Sequence, residues 1–201
     1  YRTLQSSNRK VVYYYDYADG EDTVAGHGTH VASTAAGSFY DSSSDYSDYN
    51  GVAPGAKIAF FDIGDSSGTL SLPGDLASKV FLPLYNAGAR VFTNSWGTVA
   101  SSGYTSDARS VDAFMASYPD AIVLFSAGNA GAYGSGTVSS PSLNKNGLCV
   151  GASMSSYQSF YELYGSARRT THSSSNLAAF SSRGPTLDGR LKPDILGHGW
   201  W

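Results

Sequence analysis

The sequence predicts an α/β fold, doubly wound, with a mostly parallel sheet and helices on both faces. Three observations carry that prediction. Apolar runs of strand length recur at Lys57-Ile58-Ala59-Phe60-Phe61-Asp62-Ile63, at Ala89-Arg90-Val91-Phe92-Thr93 and over residues 121–125. Stretches of helical period stand between them, over 72–86 and 106–118, and the order strand, helix, strand, helix, strand calls for crossover connections and parallel pairing. The 201 residues are 41% hydrophobic and only 14% charged, a globular composition of single-domain length, with fewer charges than the roughly 25% usual in soluble domains.

Taken in order, Lys10-Val11-Val12-Tyr13-Tyr14-Tyr15 is β-branched and aromatic, hence a strand, and it runs into an acidic turn from Asp16 to Asp22. Gly26-His27-Gly28-Thr29-His30 then turns into a slim helix through Val31 and Ala36 that stops at Gly37. Its small residues predict packing on all sides. Residues 38–50 form a polar loop with Asp41, Asp45 and Asp48, whose spacing is not that of a calcium loop. The turn Gly51-Val52-Ala53-Pro54-Gly55-Ala56 feeds the run 57–63, nearly continuous in apolar residues as in strands covered on both faces. In the helix over 72–86, Pro73 suits the first turn, Pro83 is expected to kink or shorten it, and Gly88 is its C-cap. The helix over 106–118 carries Val111, Phe114 and Met115 on one face. Val150-Gly151-Ala152 continues the strand series.

Charge and composition exclude several roles. The formal charge is −3 and the few Lys and Arg are scattered, so no nucleic-acid footprint exists. No apolar run is long enough to span a bilayer. Cys149 is the only cysteine, so no internal disulfide forms, and between Leu148 and Val150 it reads as a core thiol rather than a nucleophile. Low charge with abundant Gly, Ser and Tyr suits a secreted protein, and a chain opening on Tyr1 without a leader is expected to be processed or cut.

Polar segments cluster at predicted strand ends, where ligands gather in such folds. His27, at a loop-to-helix junction, is suited to proton transfer near neutral pH. Asn94-Ser95-Trp96-Gly97 and Ser126-Ala127-Gly128-Asn129 follow two strands; glycines there let a substrate backbone approach, and Asn129 offers an amide to developing negative charge. His27 and His30 also form a His-x-x-His pair, but without the His-Glu-x-x-His pattern no metal is assigned, and His30 reads as a structural, hydrogen-bonded residue. Gly128, Gly131 and Gly134 have the wrong spacing for a dinucleotide turn.

In order, Gly26-His27-Gly28-Thr29-His30-Val31-Ala32, Ser95-Trp96-Gly97, Ala127-Gly128-Asn129, Phe180-Ser181-Ser182-Arg183-Gly184-Pro185 and Lys192-Pro193-Asp194-Ile195 resemble the motifs of the subtilisin-like serine proteases, with Val150-Gly151-Ala152 matching a strand between them. The resemblance runs from about Lys10 to Ile195, the central part of the catalytic domain. It implies that His27 is the general base, that Asn129 completes the oxyanion hole, and that Ser95, Trp96, Gly97, Ser126, Ala127 and Gly128 bind an extended polypeptide substrate. Trp96 at the pocket edge points to apolar or aromatic side chains. No cofactor is required, a structural calcium has no assignable ligands, and a monomer is expected.

The same resemblance implies an aspartate in an Asp-(Thr/Ser)-Gly setting before His27 and a serine in a Gly-Thr-Ser-Met-Ala segment after Asp194. Asp16, Asp19 and Asp22 stand too near His27 and read as loop residues. Gly151-Ala152-Ser153-Met154-Ser155 imitates the serine motif, but it precedes Arg183-Gly184-Pro185 and residues 156–161 show no slim apolar helix. After Ile195 an Ala-Pro-Gly turn is expected, yet the sequence reads Leu196-Gly197-His198-Gly199-Trp200-Trp201, as a truncation, a splice boundary or a frame slip would leave it. The chain as written is thus expected to be an inactive, loosely packed fragment incomplete at both ends. A degenerate protease that only binds peptides is the alternative.

Overall fold

The computed structural model describes residues 2–22, 26–39, 49–98, 103–155 and 173–200. Their contacts fall into two units, Tyr1–Arg90 and Val91–Trp201. The loop expected over 38–50 with Asp41, Asp45 and Asp48, and the stretch 156–161, lie largely outside the described residues.

In the first unit, β1 (Val11–Asp16) and β2 (Ile58–Asp62) pair in parallel, with Tyr14 opposite Phe60 and Tyr15 opposite Phe61. These cross-strand pairs stack, with ring centroids 5.6 and 4.7 Å apart, the contact that favours aromatic residues on paired strands. Between the strands lies α1 (His27–Ala36), which starts at His27 itself after Gly26 in the left-handed region at φ 61°. The N–H groups of Gly51, Val52 and Ala53 reach the carbonyls of Gly37, Thr34 and Ala35, so the turn after the polar loop closes the helix end. Two expectations are corrected here. Of α1 only Ala36 is buried, the other residues being half-buried or exposed. In β2 only Asp62 is buried, the apolar residues being half-covered.

The helix expected over 72–86 is shorter than its period suggests. A π-helical turn (Ala77–Phe81) leads into α2 (Leu82–Asn86), and the Leu82 N–H bonds back five residues to the Ala77 carbonyl. Pro83 has no N–H to continue the ordinary ladder. The element still buries Leu76, Val80, Phe81 and Leu84, which are the residues that gave the sequence its helical period.

The second unit is a four-stranded parallel sheet in the order β3-β4-β5-β6, with β3 Val91–Asn94, β4 Ile122–Ser126, β5 Leu148–Met154 and β6 Ile195–Trp200. Helix α3 (Ser106–Ser117) is N-capped by the Thr105 hydroxyl, which accepts from the Ala108 N–H. Phe114 of α3 meets Phe92 edge-on at 5.4 Å. Ala108, Ala127, Val138, Leu143 and Cys149 form the buried cluster beside it. Asp112, on the buried face of α3, accepts from the N–H groups of Lys145 and Asn146 and from the Tyr104 hydroxyl, tying the 144–147 turn to the helix. Burial, then that hydrogen bond, pushes the Tyr104 hydroxyl up to about 12.

Strand β6 is the other departure from expectation. The residues that replace the expected turn continue as a strand, with Val150 opposite Ile195 and Ser153 opposite His198. Its start is anchored from the Lys-Pro-Asp motif: the Asp194 carboxylate accepts from the Cys149 N–H at 2.7 Å and from the Lys192 ammonium at 2.6 Å, and the Asp194 N–H donates to the Cys149 carbonyl.

Candidate active site

His27 is the exposed first residue of α1, in the first unit. Asp22 is more than a loop residue there. Its carboxylate accepts from the Thr29 N–H at 2.7 Å, so it occupies the positive end of the helix. Hydrogen bonding from Thr29, with a smaller attraction to His27, holds that carboxyl below the usual range. A side chain at position 28 would touch Phe60 and approach this carboxylate, so Gly28 is what lets Asp22 come close. Asp16 ends β1 and pairs with Arg2 at 2.8 Å. His30 is exposed; its backbone N–H bonds to Gly26, and among the described residues its ring has no partner, so the structural role expected of it is not found. Among the described residues no three His, Cys, Asp or Glu side chains gather as metal ligands.

The remaining expected site residues belong to the second unit, at the carboxyl ends of β3 and β4. Gly97 and Gly128 both lie against Ser139: an added Cβ would stand 2.9 Å from its hydroxyl oxygen in each case. The Ser139 N–H and hydroxyl both donate to the Ala127 carbonyl. One serine thus brings the 95–97 and 127–129 segments together. Thr98 exchanges backbone hydrogen bonds with Ser140, which fixes the chain just past Gly97. The Trp96 ring, half-buried, packs edge-on to Phe125 at 5.1 Å.

The Phe-Ser-Ser-Arg-Gly-Pro motif acts as a strap over the Asn129 loop. The Ser182 N–H donates to Gly128, the Ser182 hydroxyl accepts from the Ala130 N–H at 3.0 Å, and the Arg183 guanidinium donates to Gly131 at 2.6 Å. Gly128 itself sits at φ 104°. Asn129 is left exposed at the loop's crest. Its side-chain amide and backbone N–H have no protein partner among the described residues, the arrangement an oxyanion donor needs.

Beside this loop is a cavity of about 220 Å³ lined by residues 126–129, 150–152, 180–181 and 197–199. The sequence pointed to 126–129, whereas His198 on its wall carried no signal, since β6 itself was not foreseen. Ser153, the residue of the imitation motif, is 4% exposed and is not part of the cavity wall. Cys149 is likewise buried, and burial pushes its thiol up to about 11, an inert core position as the sequence suggested.

Parallel strands with helices between them make this an α/β fold, in which the Asn129 loop follows the carboxyl end of β4. The chain belongs to the subtilase family (peptidase S8): the family model matches residues 2–200. It is 35% identical to the serine protease/ABC transporter B family protein tagD of Dictyostelium discoideum, over 99% of this chain and 14% of that protein. It is 29% identical to pyrolysin of Pyrococcus furiosus, over 87% of this chain and 15% of that protein. The chain therefore spans about one-seventh of the length of these relatives. Among solved structures, sphericase has a TM-score of 0.62 at 23% identity, covering 98% of this chain and 63% of that one. The protease domain of PatA has a TM-score of 0.59 at 23% identity, covering 89% and 54%. Both share the fold.

Proposed function

We propose that this chain is the central part of a serine endopeptidase catalytic domain that hydrolyses peptide bonds through an acyl-enzyme. In this reading His27 is the general base, Asn129 stabilises the oxyanion, and the segments 95–97 and 126–128 hold an extended polypeptide. The observation that carries it is the Asn129 loop: an uncommitted amide on a glycine turn that a strap of hydrogen bonds keeps in place. Subtilase membership and the tagD and pyrolysin likenesses support the reaction class. The serine and the orienting aspartate come, in this proposal, from parts of a longer polypeptide, and the 201 residues by themselves do not hydrolyse peptides. No metal takes part in the chemistry.

The test is fluorophosphonate labelling of the natural full-length protein. Labelling of a serine is expected, abolished by His27→Ala. With Asn129→Ala the rate should fall by about 10²–10³-fold, a size known from the corresponding asparagine of subtilisin itself. A full-length protein that labels no serine, or labels equally with His27→Ala, would remove the protease assignment.

A further inference from the structure

His27 stands at the end of α1 that carries no buried side chain. The helix buries only Ala36, at its far end, and there the N–H groups of Gly51, Val52 and Ala53 tie it down. At the near end the residue before the helix is Gly26, at φ 61°, which has no side chain with which to cap the first N–H groups. A carboxylate from outside the helix takes that place. Asp22 accepts from the Thr29 N–H at 2.7 Å. It lies close over the first turn, since a Cβ added at Gly28 would stand 3.5 Å from its Oδ2 and 3.1 Å from the Phe60 ring.

The segment that brings Asp22 there is in turn fixed to the sheet. Asp62, the buried residue at the end of β2, accepts through its carboxylate from the Tyr14 hydroxyl at 2.8 Å and from the Gly20 N–H at 3.0 Å. Its carbonyl accepts from the Ala18 N–H at 3.2 Å. The Glu21 N–H then closes a turn onto the Asp19 carboxylate at 2.9 Å. Position thus passes from β2 through Asp62 to the 18–21 turn, and from Asp22 to the first turn of α1.

We propose that Asp22 is a positioning residue for His27, holding the first turn of α1 against the sheet so that the imidazole is presented from a fixed point. The inference rests on the reading of His27 as general base, and it gives Asp22 no contact with substrate or reacting atoms. A general base works only within hydrogen-bond reach of the proton that it takes. Displacing it by about 1 Å costs about 10²-fold in rate. What Asp22 supplies is an acceptor for the Thr29 N–H, which an asparagine side chain supplies equally well.

The experiment follows fluorophosphonate labelling of the natural full-length protein against probe concentration. In Asp22→Ala the maximal labelling rate should fall by about tenfold or more, with the half-saturating probe concentration within about twofold of the unmodified value. Asp22→Asn should restore the rate to within about threefold. Asp75 is the control in the same unit: it accepts from the Ala77 N–H and the Ser78 hydroxyl at the start of the π-helical turn, and Asp75→Ala should leave the rate within about twofold. Hydrogen exchange, read by mass spectrometry on peptides covering 27–36, should be about tenfold faster in Asp22→Ala and unchanged in Asp22→Asn. Labelling that is as fast in Asp22→Ala as in the unmodified protein would overturn the role of Asp22 and leave the protease reading standing. An equal fall in Asp75→Ala would show a general loss of fold and overturn it too, and Asp22→Asn as slow as Asp22→Ala would replace positioning by charge. A protein that labels no serine at all removes the protease reading, and this role with it.

Discussion

Replacing Gly128 by alanine tests whether the Asn129 loop is held by close packing or merely sits on the surface. Two penalties are expected. A residue with a Cβ at φ 104° is strained, by about 1–3 kcal/mol. The new Cβ would also lie 2.9 Å from the Ser139 hydroxyl and 3.0 Å from the Ser182 hydroxyl. Those oxygens hold the Ala127 carbonyl and the Ala130 N–H, and displacing them costs about 1 kcal/mol for each hydrogen bond lost. Gly134 separates the two effects: it has φ 100° and nothing within 4 Å of an added Cβ. In urea unfolding of the full chain, Gly128→Ala should therefore lose about 3–5 kcal/mol and Gly134→Ala about 1–3 kcal/mol. The difference between them, about 2 kcal/mol, is the contribution of the serine contacts. Equal losses in the two variants would refute the argument that Ser139 and Ser182 clamp the loop.

Two further outcomes concern the root of β6. The Lys192 side chain is 3% exposed and bonded to Asp194, so Asp194→Ala strands a buried ammonium and removes the acceptor of the Cys149 N–H; a loss of about 3–5 kcal/mol is expected. The double variant with Lys192→Met should recover most of it, and a single-variant loss under about 1 kcal/mol would contradict the burial. The Cys149 thiol, raised by burial from 9.0 to about 11, should react with iodoacetamide at pH 8.5 about 100-fold or more slowly in the native than in the unfolded chain. Because the folded value is the higher one, its contribution to stability is complete below pH 9 and declines as the pH rises to about 11. The pH dependence of unfolding in that interval should be smaller in Cys149→Ala, and identical profiles would refute the assignment.

Where the sequence was readable, one element's own residues settled its conformation. Tyr13-Tyr14-Tyr15 and the 58–62 run have little alternative to strands, and the apolar period of 106–117 needs one face of α3. The glycines beside His27 announced a junction, and α1 does begin there. What escaped was set by partners distant in sequence. Whether α1 and β2 are covered depends on what packs over them, which their own composition does not state. Asp112 looks like a surface residue of a helix until the 144–147 turn brings three backbone and side-chain donors to it. Asp22 looked too near His27 to matter, yet proximity is what places it at the helix end.

The same distinction explains the site. The Asn129 loop was legible as a polar glycine turn at a strand end, whatever surrounds it. The reason the loop holds still was not legible, since the serines that fix it, Ser139 and Ser182, belong to different segments and make ordinary hydrogen bonds. His198 is the extreme case. Leu196-Gly197-His198-Gly199 has weak strand propensity, and the glycines argue for a turn. Pairing with β5, already anchored through Asp194 and Cys149, overrides that local preference. A chain anchored at one end of a parallel ladder has its next residues presented to the neighbouring strand's unpaired groups, so continuing the ladder satisfies more backbone than turning away. This register puts His198 opposite Ser153 and on the cavity wall.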